Sequence, residues 1–324
     1  MRVLLVKLSS LGDVIHNLPV ASDLARALPG VEIDWAVEAP YAEIAAMHPA
    51  ITNIIGVPLR ALKKNLSSIA AWRGFLAARK QLSNQRYDAI LDTQGLIKSA
   101  WISHWPKGPV YGHASASARE PFAARFYDHT FDVPRAMHAV ERNRLLVARA
   151  FGYTLDLPLD YGLTAPTTEL VGMASTPTVV FLHATSRADK MWPVQYWIEL
   201  GNRLNAANIA VMLPWGTEAE HDISQRIAEK IPQACVSAKL SLTVAAQWLA
   251  RAVAVVGVDT GLAHLAVALG RPTIGIYLTT DPALTGLHGG VGIMSLGGGS
   301  RDASNPPTVD MVWRALTSQI GVAR

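Results

Sequence analysis

The sequence predicts an α/β protein built from two doubly wound parallel sheets. Three observations carry that expectation. Short apolar runs alternate with helix-length amphipathic stretches, the mark of parallel βαβ units. The alternation stops over residues 155–177, where Pro158, Pro166 and Pro177 stand among threonines, and then restarts. Each polar motif directly follows an apolar run, where open parallel sheets bind ligands at their carboxyl ends.

In the first half, strands are expected at residues 3–8, 32–37, 54–57 and 89–92, with helices over 17–28, 69–82 and 139–150. In the second, strands are expected at 178–183, 209–213, 252–258 and 273–277. Helices are expected near 194–206, 218–230, 242–249 and 261–269. Residues 282–300 are free of charge and hold seven glycines, so they read as a loop. A last amphipathic segment, 308–320, follows Pro306-Pro307. The domains expected are residues 1–165, residues 166–305 and a terminal helical segment 306–324.

At 324 residues the chain has room for two domains of about 150 residues each. Half of it is hydrophobic and 17% is charged, the composition of a well-cored globular chain. Cys235 is the only cysteine, so no internal disulfide forms and a reducing compartment is expected. The first residues are interrupted by Lys7 and Asp13 too soon to resemble a signal peptide. No apolar run approaches the roughly 18 residues of a membrane span.

The net charge of +4 hides an asymmetry. From Ile44 to Tyr87 there is no Asp or Glu, while Arg60, Lys63, Lys64, Arg73, Arg79, Lys80 and Arg86 all fall inside. A single-sign patch of that kind concentrates an anionic partner. Nucleic acid is not the expected one. No binding motif accompanies the window, and its only aromatic residues besides Phe75 are Trp72 and Tyr87.

The most informative stretch is Val255-Val-Gly-Val-Asp-Thr-Gly-Leu-Ala-His264, an apolar strand that runs straight into a helix start. Such a start presents unpaired N–H groups and the positive end of the dipole, which suits a diphosphate. His183-Ala-Thr-Ser-Arg-Ala-Asp-Lys190 adds the hydroxyls of Thr185 and Ser186 and the point charge of Lys190. Together they form a phosphate cradle. Leu213-Pro-Trp-Gly-Thr-Glu-Ala-Glu220 offers a carboxylate that either accepts from ribose hydroxyls or favours a helix N-terminus. In Lys7-Leu-Ser-Ser-Leu-Gly-Asp13, the carboxylate of Asp13 is either a general base or a helix cap. Trp192 and Trp215 read as packing residues. No dinucleotide or Walker-type glycine motif, metal-binding His pattern or cysteine pair occurs, so no metal and no cofactor are expected.

Taken together, Val6-Lys-Leu-Ser-Ser-Leu-Gly-Asp-Val-Ile-His16, Asp88-Ala-Ile-Leu-Asp-Thr-Gln-Gly-Leu-Ile-Lys98, Ala118-Arg-Glu-Pro121, His138-Ala-Val-Glu-Arg142, Leu182-His-Ala-Thr-Ser186 and Val258-Asp-Thr-Gly-Leu-Ala-His264 resemble lipopolysaccharide heptosyltransferases. The resemblance spans nearly the whole chain. It implies a GT-B glycosyltransferase of two Rossmann-like domains, with the acceptor on the first and ADP-heptose on the second. The implied reaction is an inverting transfer of L-glycero-D-manno-heptose from ADP-L-glycero-β-D-manno-heptose to the inner Kdo of Kdo2-lipid A.

By that resemblance Asp13 is the catalytic base and Lys190 stabilises the departing diphosphate. Thr185, Ser186, Lys190, Glu220, Asp259, Thr260, Gly261 and His264 line the donor site, with Leu240 against the adenine where relatives tend to carry methionine. Ser186 replaces a commoner threonine. Arg60, Lys63, Lys64, Arg119 and Arg142 are the expected acceptor contacts. Residues 308–320 are expected to return to the first domain. The expected setting is cytoplasmic, peripheral on the inner membrane through the basic face. Addition of a second heptose, or a GT-B nucleotide-sugar epimerase, are the alternatives.

Overall fold

The computed structural model describes residues 1–166, 176–185, 187–298 and 306–321. Ser186 therefore lies outside the described residues. The chain divides into two compact units, Met1–Thr164 and Ala165–Arg324.

The first unit runs β1 (Arg2–Val6), α1 (Leu11–Ile15), α2 (Leu18–Ala27), β2 (Glu32–Glu38), α3 (Ala42–Ala45), β3 (Ile51–Val57), α4 (Leu59–Lys64), α5 (Ile69–Ser83), β4 (Ala89–Asp92), α6 (Ile97–Ser103), β5 (Val110–His113), β6 (His129–Phe131) and α7 (Ala139–Phe151). Its strands form one parallel sheet in the order β3-β2-β1-β4-β5-β6. The second unit runs β7 (Thr178–Leu182), α8 (Val194–Ala206), β8 (Ala210–Leu213), α9 (Glu218–Ala228), β9 (Ala234–Val236), α10 (Leu242–Arg251), β10 (Ala254–Val258), α11 (Gly261–Ala268), β11 (Thr273–Tyr277), α12 (Pro282–Thr285), β12 (Ile293–Gly297) and α13 (Val309–Ile320). Its sheet order is β12-β11-β10-β7-β8-β9.

Both sheets follow one plan. The chain enters at the middle, builds outward to one side, then crosses over and builds to the other. Covered on both faces by helices, the central strands are continuously apolar: Val3 to Val6 and Val179 to Phe181 are fully buried. The crossover creates a switch point between β1 and β4, and a second between β7 and β10. Loops leaving adjacent strands there diverge, opening a crevice at the carboxyl edge.

One expectation is corrected. Residues 282–298 are not simply loop. They hold α12 and β12, and β12 pairs with β11 from Thr273↔Ile293 to Tyr277↔Gly297. Met294 and Leu296 pack against the second core; glycines crowding both ends concealed this edge strand. The last helix belongs to the second unit. Thr308 caps α13 by accepting from Met311 N. Val309, Val312, Ala315 and Leu316 are buried in the second core against α8, β10 and β11. No helix among the described residues is long and apolar enough to cross a membrane.

Candidate active site

In the first unit the switch point is built from the loops after β1 and β4. Ser10 begins α1, and Asp13, at its third position, accepts on Oδ2 from the Ser10 N–H (2.8 Å) and hydroxyl (2.9 Å). The capping role is thus real, yet the side chain stays 27% exposed, with Arg119 Nη1 3.9 Å from Oδ2. The β4 loop holds this arrangement. Gln94 accepts from Leu8 N (2.7 Å) and donates to Ser9 O (3.0 Å), and Lys98 donates to the Ser9 hydroxyl.

Asp92, fully buried, accepts from Gln94 N, Gly95 N and the Tyr127 hydroxyl (2.8 Å). Burial raises its pKa, against those same hydrogen bonds. Gly95 has φ +67, and a Cβ there would stand 3.2 Å from Arg119 N. A glycine is what lets the 118–119 backbone approach and bring Arg119 to Asp13.

Lys7 lies beneath, donating to Thr93 O (2.8 Å) and Asn143 Oδ1 (3.3 Å). Burial lowers its pKa to about 8, while the charges of Asp13 and Asp92 oppose the drop. Arg142 donates to Ser117 O (2.6 Å), and its pKa is lowered by burial and by Arg135. The accessible carboxylate of Asp13 therefore sits near Lys7, Lys98, Arg119 and Arg142, a setting that favours an anionic ligand.

The expected acceptor cations divide. Arg119 and Arg142 belong to this cluster. Arg60 instead begins α4, its N–H on Glu38 Oε1 (2.6 Å) and its guanidinium over the Tyr41 ring at 5.1 Å. Lys63 and Lys64 are exposed on α4's last turn. All three lie at the carboxyl edge of β2 and β3, on one side of β1 in the same sheet.

In the second unit the crevice lies between the loops after β7 and β10. Asp259 organises it. Its Oδ2 accepts from Lys190 Nζ (2.6 Å) and the Thr280 hydroxyl (2.9 Å), and its Oδ1 stands 3.9 Å from His264 Nε2. Burial alone would push this carboxyl up. Hydrogen bonds from His264, Lys190 and Thr280, with the Lys190 charge, hold it well below the usual carboxylate range. Thr185 donates to Asp259 O (3.0 Å), which ties the two loops together.

Thr260 is the N-cap of α11, and its side chain makes no cap hydrogen bond. Its hydroxyl and the N–H groups of Gly261 and Leu262 are thus left for an oxyanion, while Ala263 N donates to Thr260 O. Gly257 in β10 permits that helix to seat closely, since a Cβ would meet Leu182 Cβ at 3.1 Å and Ala263 Cβ at 3.3 Å.

Leu240 lines an apolar pocket with Leu182, Met212, Pro214, Trp248 and Leu262, beside the α11 start. Glu220 stands at the third position of α9, where Oε2 accepts from Gly216 N (2.7 Å) and Thr217 N (3.2 Å) in a capping box. Trp192 is buried and Trp215 donates to Ser237 O; both are packing residues.

Sequence reasoning assigned no role to Lys7, Asp92, Gln94 or Thr280. Each is a polar residue at or just beyond the last position of an apolar strand, and that placement was the available signal. The oxygens of Asp259 are engaged by Lys190 and Thr280, with His264 close by, so it orients these donors.

The glycosyltransferase family 9 (heptosyltransferase) profile matches residues 75–296. The chain is 46% identical over 296 residues to lipopolysaccharide heptosyltransferase 1 of Pseudomonas aeruginosa, covering 89% of this chain and 82% of that protein. It is 40% identical to the Escherichia coli protein of the same name, covering 89% and 91%. Among solved structures, E. coli heptosyltransferase WaaC with ADP superposes with a TM-score of 0.89 at 38% identity, over 98% of this chain and 100% of that one. WaaC with ADP-2-deoxy-2-fluoro heptose gives 0.85 at 37%, over 98% and 99%.

Proposed function

Because the chain belongs to glycosyltransferase family 9, the heptosyltransferase family, we propose that it moves L-glycero-D-manno-heptose from ADP-heptose to the inner Kdo of Kdo2-lipid A in lipopolysaccharide inner-core assembly. The observation that supports this most strongly is the match, over nearly the whole chain, to a structure carrying a fluorinated ADP-heptose.

The second unit holds the donor. Leu240 and its apolar neighbours face the adenine, and Thr260, Gly261 and the α11 N–H groups receive the diphosphate. Lys190, oriented by Asp259, adds a positive charge where charge grows as ADP departs. Thr185 and His264 complete the wall; Glu220 extends it toward the ribose.

The first unit holds the acceptor. Asp13 takes the proton of the Kdo hydroxyl as its oxygen attacks the anomeric carbon from the face opposite ADP. The bond to the β-phosphate breaks, ADP leaves, and the β-linked donor becomes an α-linked product. A carboxylate is strong enough because the hydroxyl becomes acidic only as the new bond forms. Arg119 and Arg142 hold the Kdo carboxylate, and Arg60, Lys63 and Lys64 meet the phosphates of lipid A. The enzyme works as a cytoplasmic peripheral protein on the inner membrane.

The test is mass spectrometry of Kdo2-lipid A incubated with the protein and ADP-heptose. Gain of one heptose is expected. Transfer only to an already heptosylated acceptor, or conversion of the nucleotide-sugar with no acceptor present, contradicts the reading.

A further inference from the structure

One surface of the first unit takes no part in this chemistry. Helix α5 packs Ala71, Phe75, Ala78 and Leu82 inward. At about 100° per residue, Ile69, Trp72 and Leu76 form a second apolar stripe, spread over roughly 60° on another side of the helix. That stripe faces out: Ile69 is 69% exposed, Leu76 53% and Trp72 44%. Leu66, 71% exposed, is fixed beside it, because its carbonyl accepts from Trp72 Nε1 at 2.8 Å. Trp101 of α6, also exposed, stacks on Phe75 at 6.1 Å, and Phe75 meets Trp72 edge-on at 5.9 Å. Contiguous apolar exposure of this kind marks a docking surface. Arg73 and Lys80 fall along one margin of the stripe and Arg79 along the other, in the window that holds no acidic residue.

We propose that this face is an interfacial anchor, with α5 lying along an anionic lipid bilayer and Leu66, Ile69, Trp72, Leu76 and Trp101 seated among the acyl chains. Charge complementarity selects the occupant. A second copy would set Arg73, Arg79 and Lys80 against the same three cations. An anionic bilayer neutralises them and covers the apolar stripe at once. Indole rings suit the boundary because they are apolar with one polar edge. Long basic side chains at the margins lay their stems on the apolar surface and hold their charges at the headgroups. The inference rests on the acceptor being a bilayer lipid. It deepens that reading, since the cations attract the protein and the stripe holds it.

The test is flotation of the full chain with phosphatidylglycerol/phosphatidylethanolamine vesicles, combined with quenching of its tryptophan emission by brominated acyl chains. Quenching is expected, and Trp72→Phe and Trp101→Phe should each reduce it. Ile69→Ser with Leu76→Ser should weaken partition roughly tenfold or more. That variant should keep wild-type ADP binding and wild-type transfer to a de-acylated Kdo acceptor. Emission that bromine leaves untouched, or a double variant that partitions like wild type, overturns the anchor. So does a wild-type dimer that the double variant dissolves, which assigns the stripe to a second copy. Intact partition by a protein that transfers no heptose to any acceptor would instead sink the transferase reading.

Discussion

At the scale of single residues, Lys190 and Asp259 act as a unit. Their side chains are 15% and 13% exposed and 2.6 Å apart, so removing the lysine leaves a carboxylate facing the place where a diphosphate must sit. Lys190→Ala should cost roughly 2.7–4 kcal/mol of transition-state stabilisation, the scale of a dedicated oxyanion donor. Adding Asp259→Asn should recover part of the ADP affinity lost, because the uncompensated charge goes with it. Calorimetric titration with ADP checks this. A double variant that binds no better than Lys190→Ala would show that Asp259 does not oppose the ligand.

At the scale of elements, the loop after β4 decides where Arg119 stands. Gly95→Ala requires a left-handed conformation of alanine, at about 1–2 kcal/mol, and also presses a methyl on Arg119 N. The acceptor KM should rise several-fold while ADP binding is unchanged, and steady-state kinetics with calorimetry separates the two. Loss of ADP affinity would contradict that placement.

This scale also shows what the sequence could tell. Long periodic segments were readable: α8 falls at Val194–Ala206 and β11 at Thr273–Tyr277, where period and length agree. The short strands β5, β6, β9 and β12 were not, because three to five residues carry little hydrophobic pattern, and β6, β9 and β12 are edges paired on one side. In the site, strand-end position marked Asp13 and the Asp259–His264 loop. The partnership of Asp259 with Thr280, twenty-one residues away, depends on which strands are neighbours, and that is a property of the sheet alone.

At the scale of the molecule, charge and burial make two predictions. Reversing Arg60, Lys63 and Lys64 to Glu should raise the acceptor KM in a salt-dependent way. ADP binding should not change, since those residues lie in the first unit and the cradle in the second. A fall in ADP affinity would contradict that division.

Stability should also drop in acid. His48, in contact with Ser22, and His183, in contact with Ser224, are buried in separate units. Burial lowers each pKa from 6.5 to about 4, against the pull of Asp160 on His48 and of Glu220 on His183. The unfolded chain therefore binds more protons between those values, and stability falls as pH drops from 6.5 to 4. The loss is up to about 3 kcal/mol per histidine, at roughly 1.4 kcal/mol per unit. Urea unfolding across that range should show a shallower pH slope in His183→Gln; an unchanged slope would contradict the assignment.

The most direct measurement follows donor binding and heptose transfer separately in Asp13→Asn. Asparagine keeps an oxygen for the Ser10 N–H, so α1 should stand, and ADP-heptose should bind as tightly as to the unaltered protein. Transfer to Kdo2-lipid A should fall by roughly 10²–10⁴, the contribution of a general base. Turnover close to that of the unaltered protein would remove Asp13 from the chemistry.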